Sequence, residues 1–156
     1  MKLYLVQHGE ALSKEQNPDR PLSDRGSLDL AKVAEFVRPL KIEVDYLWHS
    51  KKTRAIQTTR ILAEVIKVKK SCSERDGLDP NDDILALEQE LSNIDSDVMI
   101  VGHMPFLGKL AAQLLAGSEA AATVRFRQGG IVCLAYDKDI GWQVEWMVTP
   151  DILGEV

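Results

Sequence analysis

His8 and His103 are two of only three histidines in a chain of 156 residues, and each stands where a short apolar run breaks off. Leu3 to Val6 stops at Gln7-His8-Gly9-Glu10, and Val98 to Val101 stops at Gly102-His103. A third run, Val44 to Trp48, stops at His49-Ser50, with Arg54 shortly after it. Ligands of α/β proteins collect outside the carboxyl ends of the strands, and parallel strands bring those ends to one edge. His8 and His103 can therefore meet although most of the chain separates them. A histidine in such a place acts as a nucleophile, a base or a metal ligand. Two histidines with an arginine suit phosphoryl transfer. Arginine offers a planar fork matched to phosphate oxygens, and the first N–H groups of the helix after His103 favour an anion. A neutral imidazole attacks phosphorus and carries the group transiently, while a second, protonated histidine stabilises charge on the equatorial oxygens.

The elements that must hold these residues follow from the hydrophobic pattern. Residues 2–7 read as a strand and 8–22, with Pro18 and Pro21, as a loop. Ser23 is an N-cap for a helix through about Val37, in which Leu28, Ala31, Val33, Ala34 and Val37 keep roughly helical spacing; Pro39 ends it. Residues 44–48 read as a second strand, followed by a helix with Ala55, Thr58, Ile61, Leu62, Val65 and Ile66 along one side. Residues 68–73 form a more exposed strand, 77–82 a loop, and 83–94 a helix. Residues 97–101 are a buried strand. The helix after it has Pro105 in its first turn and Gly117 as a left-handed cap. Residues 123–127, 131–136 and 142–148 read as terminal strands. Trp142 and Trp146, alternating with Val144, are expected to pack on one face. The alternation predicts one α/β domain over 1–156, a three-layer α/β/α sandwich with a mostly parallel sheet.

Composition narrows the function. A hydrophobic content of 45%, a charged content of 28% and a net charge of −5 fit an ordinary globular protein and argue against a broad nucleic-acid surface. The apolar start is too short for a membrane span. Two cysteines, Cys72 and Cys133, form no CxxC pair, so neither a disulfide scaffold nor a zinc cluster is expected, and a cytoplasmic location is. His8, Glu10, His49 and His103 have no spacing of a known metal site. His49 is assigned to packing, and Lys67, Lys69 and Lys70 to a solvated face.

Four segments in order carry a resemblance. They are Leu5-Val6-Gln7-His8-Gly9-Glu10-Ala11; Arg20-Pro21-Leu22-Ser23 with Gly26; Ser50-Lys51-Lys52-Thr53-Arg54-Ala55-Ile56-Gln57-Thr58; and Val101-Gly102-His103-Met104-Pro105. Together they resemble the histidine phosphatase superfamily (phosphoglycerate-mutase-like), most of all its small bacterial phosphohistidine phosphatases, which carry no cap insertion. The resemblance implies that His8 is the nucleophile that becomes phosphorylated. Arg54 binds the phosphoryl oxygens, and His103 is the second pocket histidine. Arg20, Gln7, Gly9 and Met104 are the implied substrate contacts. No metal or other cofactor is implied. The implied partner is a phosphorylated protein, such as a histidine phosphotransfer domain, or a small phosphorylated substrate; a monomer is expected.

Two departures matter. Gln7 stands where the family has arginine, and losing one charge-assisted contact costs on the order of 1.5–3 kcal/mol, roughly tenfold to hundredfold in rate. Arg20, Arg54 or Lys51 are candidates to compensate. Larger family members carry a glutamate acid where this chain has Pro80, after Leu78-Asp79. An imidazole leaving group, with a free pKa of about 6.5, needs a proton donor far less than an alkoxide. The missing acid thus favours phosphoramidates, although Asp79 and Glu10 remain candidate proton donors. The alternatives are a small-molecule phosphomonoesterase and a weakly active phospho-ligand-binding regulatory module.

Overall fold

The apolar runs bounded by turn residues become strands. In the computed structural model, which describes residues 1–154, β1 spans Lys2–Gln7, β2 Glu43–His49, β3 Lys67–Glu74, β4 Val98–Gly102, β5 Ile131–Asp137 and β6 Gly141–Val148. They form one sheet in the order β3-β2-β4-β1-β5-β6. The first four strands pair in parallel, and β5 runs antiparallel to both β1 and β6. Four helices, α1 (Asp24–Val37), α2 (Thr53–Ala63), α3 (Leu85–Ser92) and α4 (Phe106–Ala116), complete an α/β fold with a mostly parallel sheet.

Both faces of the sheet are buried. Tyr4 and Val6 of β1 join Val33 and Val37 of α1 and Leu62 of α2 in one apolar cluster. Leu3 and Leu5 join Leu87 of α3 and Leu107 and Leu110 of α4 in the other. The chain thus leaves β1 toward one face and leaves the neighbouring β4 toward the opposite face. That divergence opens a crevice at the carboxyl ends of β1 and β4, the topological switch point where open α/β sheets bind ligands. Register completes the arrangement: Gln7 pairs with Gly102, so His8 and His103 are the next residue on each strand.

Several boundaries differ from the sequence reading. Residues 123–127 are not a strand: Val124 and Phe126 pack on the second cluster, and the segment pairs with none of the six strands. Helix α2 ends at Ala63, and Val65 and Ile66 lead into β3. Helix α3 is shorter than the 83–94 pattern. Pro105 caps α4 and is not its first helical residue. Gly117 does adopt the left-handed cap, with φ 72°. Trp142 and Trp146 lie on opposite faces, because β6 has an extra residue: Leu134 pairs with Val144 but Cys133 with Trp146. The bulge at Glu145 inverts the side-chain phase. Trp146 therefore packs near Tyr4, ring centroids 6.1 Å apart, and Trp142 near Tyr136 at 5.4 Å.

Candidate active site

The turn after β1 is compressed. A Cβ on Gly9 would lie 2.7 Å from Leu30 Cδ1 and 3.3 Å from the Gly26 carbonyl, and one on Gly26 would collide with the Glu10 backbone. Only two glycines let the β1 turn and the start of α1 approach this closely. Ser23 caps α1 by accepting from the Gly26 N–H at 3.0 Å. The Gly9 N–H donates to Thr58 Oγ1 of α2 at 3.0 Å, and that hydroxyl donates to the Arg54 carbonyl at 2.8 Å. The His8 turn and the first turn of α2 are thereby tied together.

The two histidine rings lie with centroids 5.0 Å apart and 55° between their planes. His8 is 6% exposed and His103 1%. His8 Nδ1 lies 2.7 Å from the Gly9 carbonyl. A carbonyl only accepts, so Nδ1 carries the proton and Nε2 carries the lone pair. Nε2 in turn receives the Arg54 Nε–H at 3.4 Å. His103 Nε2 is 2.6 Å from Ser50 Oγ, itself fully buried, while His103 Nδ1 has no hydrogen-bond partner among the described residues.

Burial and nearby cations hold both rings neutral. Burial lowers His8 to about 4 against the pull of its bond to Gly9, with Arg54 and Arg20 adding to the drop. His103 falls to about 3, through burial first and then through His8, Arg54 and Lys52, with Asp79 opposing. The protonated second histidine expected from the sequence is therefore not its resting form; a phosphoryl dianion between the rings would reverse the sign of that field. Arg54 is itself lowered by burial and by Arg20. A chain of net charge −5 thus concentrates cations at this edge.

The remaining expected residues divide. Arg20 reaches the site electrostatically. It sits in the left-handed region at φ 48°, and its Nε–H donates to the Leu12 carbonyl at 3.0 Å. Gln7 ends β1; its carbonyl accepts from the Gly129 N–H at 2.9 Å, and its side chain makes no hydrogen bond among the described residues. Met104 is 38% exposed and lies over Gly108. Glu10 is turned away, accepting the Ser23 hydroxyl at 2.6 Å. His49 bonds the Ser50 carbonyl at 2.9 Å. No three metal-ligating side chains come together among the described residues. The sequence reading missed Ser50 and Thr58 as individual contributors. Their signal was present, since both stand in the segment that carries Arg54.

The amino-terminal part of this chain, residues 3–79, matches the sequence model of the histidine phosphatase superfamily, branch 1. The chain belongs to the histidine phosphatase superfamily. It is 23% identical over 155 residues to phosphohistidine phosphatase SixA of Escherichia coli strain K12, covering 96% of this chain and 94% of that protein. Phosphoglycerate mutase 1 of Saccharomyces cerevisiae is 38% identical over 68 residues, 40% of this chain and 28% of the mutase. The solved structure of the protein histidine phosphatase SixA complexed with tungstate superposes with a TM-score of 0.83 at 22% identity, over 99% of this chain and all of the other. This superfamily member thus shares its whole fold with SixA and a 68-residue stretch of sequence with a mutase.

Proposed function

We propose that the chain is a phosphohistidine phosphatase that works through a phosphohistidine on His8. The observation that carries this reading is the fixed tautomer of His8, with its lone pair at Nε2 beside Arg54 and the His103 ring 5.0 Å away between centroids. His8 Nε2 attacks phosphorus, and the substrate's P–N bond breaks toward the leaving imidazole. Arg54 and Arg20 hold the equatorial oxygens, and His103 Nδ1 supplies a further donor once the dianion favours its protonation. Water then attacks phospho-His8; its oxygen bonds phosphorus, both its protons end on dihydrogen phosphate, and His8 regains its lone pair. Gln7, Gly9 and Met104 border the entering group.

The full-length likeness to SixA supports phosphohistidine, on a protein such as a histidine phosphotransfer domain, as the substrate class. Chemistry supports it too, since the chain has Pro80 where larger relatives place their acid. A second reading, a weakly active phospho-ligand-binding module, has Gln7 behind it.

The test uses a protein labelled with ³²P on histidine, beside an aryl phosphate. Wild type is expected to release phosphate and to pass through an acid-labile, alkali-stable label. His8→Ala is expected to lose both the label and about 10³-fold or more of turnover. Full activity in His8→Ala overturns the nucleophile; better turnover of the aryl ester than of phosphohistidine favours a monoesterase. Gln7→Arg is expected to change kcat/KM by less than about tenfold, because Arg20 and Arg54 already supply charge. A larger rise supports the second reading.

A further inference from the structure

The loop between β3 and α3 ends against the catalytic edge. Leu78 is buried in the second apolar cluster, and its carbonyl lies 3.8 Å from where a Cβ on Gly102 would stand, one residue before His103. The next residue, Asp79, is pinned through its backbone: its N–H donates to Asp82 Oδ2 at 2.8 Å, and its carbonyl accepts from the Asp82 N–H at 3.1 Å. Asp79 lines a cavity of about 230 Å³ together with Lys51, Arg75, Asp76, Gly77 and Asp82. Lys51, which follows the serine bonded to His103, reaches Asp79 Oδ2 at 3.6 Å. Lys51 is more than half exposed, and such a surface pair is weak, so the carboxylate can exchange this partner for a better one. Asp79 is also the carboxylate whose charge is felt at both Arg54 and His103.

A carboxylate beside a phosphate pocket works against anions, and every phosphoryl substrate is an anion. The placement is useful only if the group that leaves carries a positive charge or a hydrogen-bond donor. A phosphohistidine ring has both when it is protonated on the nitrogen that does not bear phosphorus. In that form the P–N electron pair returns to the ring as neutral imidazole; without that proton the ring would leave as an anion.

We propose that Asp79 is the leaving-group contact, its carboxylate accepting the N–H of the substrate imidazole on the nitrogen not bonded to phosphorus. The assignment rests on phosphohistidine being the substrate, and it differs from a general-acid role because Asp79 gives up no proton. His8 Nε2 bonds to phosphorus, the substrate P–N bond breaks, and the leaving imidazole keeps the proton that Asp79 has held throughout. The arrangement mirrors the nucleophile. The Gly9 carbonyl holds the Nδ1 proton of His8, so each of the two imidazoles sharing the phosphoryl group has an acceptor at its far nitrogen. The contact also discriminates, because a sugar or nucleotide phosphate presents hydroxyls or further anions where this carboxylate stands.

The experiment compares wild type, Asp79→Asn and Lys51→Ala on phosphoimidazole, on a phosphohistidine protein and on an aryl phosphate, each from pH 5.5 to 8.5. For Asp79→Asn, kcat/KM on both phosphoramidates is expected to fall about tenfold to thirtyfold. The alkaline limb of their pH profile is expected to move down by about one unit, because the ring loses the group that favours its proton. Aryl phosphate turnover is expected to stay level or rise, which also shows that the variant is folded. Lys51→Ala, which frees the Asp79 carboxylate of its surface partner, is expected to leave the ratio of phosphoramidate to aryl phosphate turnover at or above that of wild type. Equal losses on all three substrates, or an unmoved alkaline limb with an unchanged substrate ratio, overturn the assignment while leaving phosphohistidine as the substrate. A wild type that cleaves the aryl ester but neither phosphoramidate overturns the substrate reading, and this assignment with it.

Discussion

At the end of β1 the His8 ring is held by a backbone carbonyl one residue further on, whereas at the end of β4 the His103 ring is held by the side chain of Ser50, just after β2. The register makes the two positions equivalent, with Gln7 level with Gly102. The difference lies in what each ring presents. His8 uses Nδ1 on Gly9 and offers Nε2 to the pocket. His103 uses Nε2 on Ser50 and leaves Nδ1 unpartnered. The nucleophile proposed at His8 needs one tautomer at all times, and a backbone acceptor at a turn fixed by Gly9 and Gly26 gives it that. A group that stabilises charge must gain and lose a proton as the phosphoryl group comes and goes. A hydroxyl, which both donates and accepts, tolerates either form. The neutral His103 ring therefore depends for its orientation on one side chain, whereas the His8 tautomer is set by the backbone, with the Arg54 side chain on its other nitrogen.

Ser50→Ala breaks that asymmetry most sharply. It leaves a buried ring with no partner at either nitrogen, and an unsatisfied buried polar group costs about 1–3 kcal/mol. Unfolding in urea should show a loss of that order. Turnover of phosphohistidine should fall about tenfold, mainly in kcat, because His103 is no longer aimed. Ser50→Thr should recover most of it. If Ser50→Ala loses stability but keeps kcat, the hydroxyl serves only the fold, and the two ends of the sheet differ less than their geometry suggests.

Acid sharpens the same contrast. Both rings titrate near 6.5 when unfolded, but at about 4 for His8 and about 3 for His103 when folded. As pH falls below 6.5 the unfolded chain takes up protons that the folded one does not. Their contribution to stability is thus complete above about pH 6.5 and is lost progressively down to about pH 3, a few kcal/mol in all. His8→Ala should roughly halve the slope between about pH 6.5 and 4, and the fall that remains from about pH 6.5 down to about 3 belongs to His103. Saturating tungstate should flatten it in wild type, because a bound anion favours the protonated rings. A wild-type stability that stays constant from pH 7 to pH 4 contradicts the buried, neutral pair.

How far this could be read from sequence depends on the range of the interaction. The strands of the central sheet, the α1 cap at Ser23 and the left-handed Gly117 are local patterns and stand in the fold as read. The convergence of His8, Arg54 and His103 also follows from local information, since parallel strands end at one edge. What escaped depends on neighbours remote in the chain. Val124 and Phe126 alternate correctly, yet they cover the second cluster without pairing to a strand. The bulge at Glu145 separates Trp142 from Trp146, which share one phase on paper. Ser50 meets His103 only because β2 and β4 are adjacent, and Asp79 nears that edge only because Leu78 is drawn into the core.

Glu10→Gln tests the smallest effect. Glu10 is two residues from His8 and was a candidate proton donor, but the turn that carries His8 inward carries Glu10 outward. Its carboxylate accepts the Ser23 hydroxyl at 2.6 Å, and its carbonyl accepts the Ser23 N–H at 2.9 Å. Glutamine keeps an acceptor oxygen for that hydroxyl, so the α1 cap survives and stability should change by no more than about 0.5 kcal/mol. Because no proton moves through this residue, phosphohistidine turnover should stay within about twofold of wild type across the pH range, well inside the effect of a working acid–base group. A tenfold loss, or the disappearance of one limb of the pH profile, would return Glu10 to the chemistry. The β1 turn would then supply both the nucleophile and its acid, leaving the β4 end with a lesser share than Ser50 and the proposed Asp79 contact assign to it.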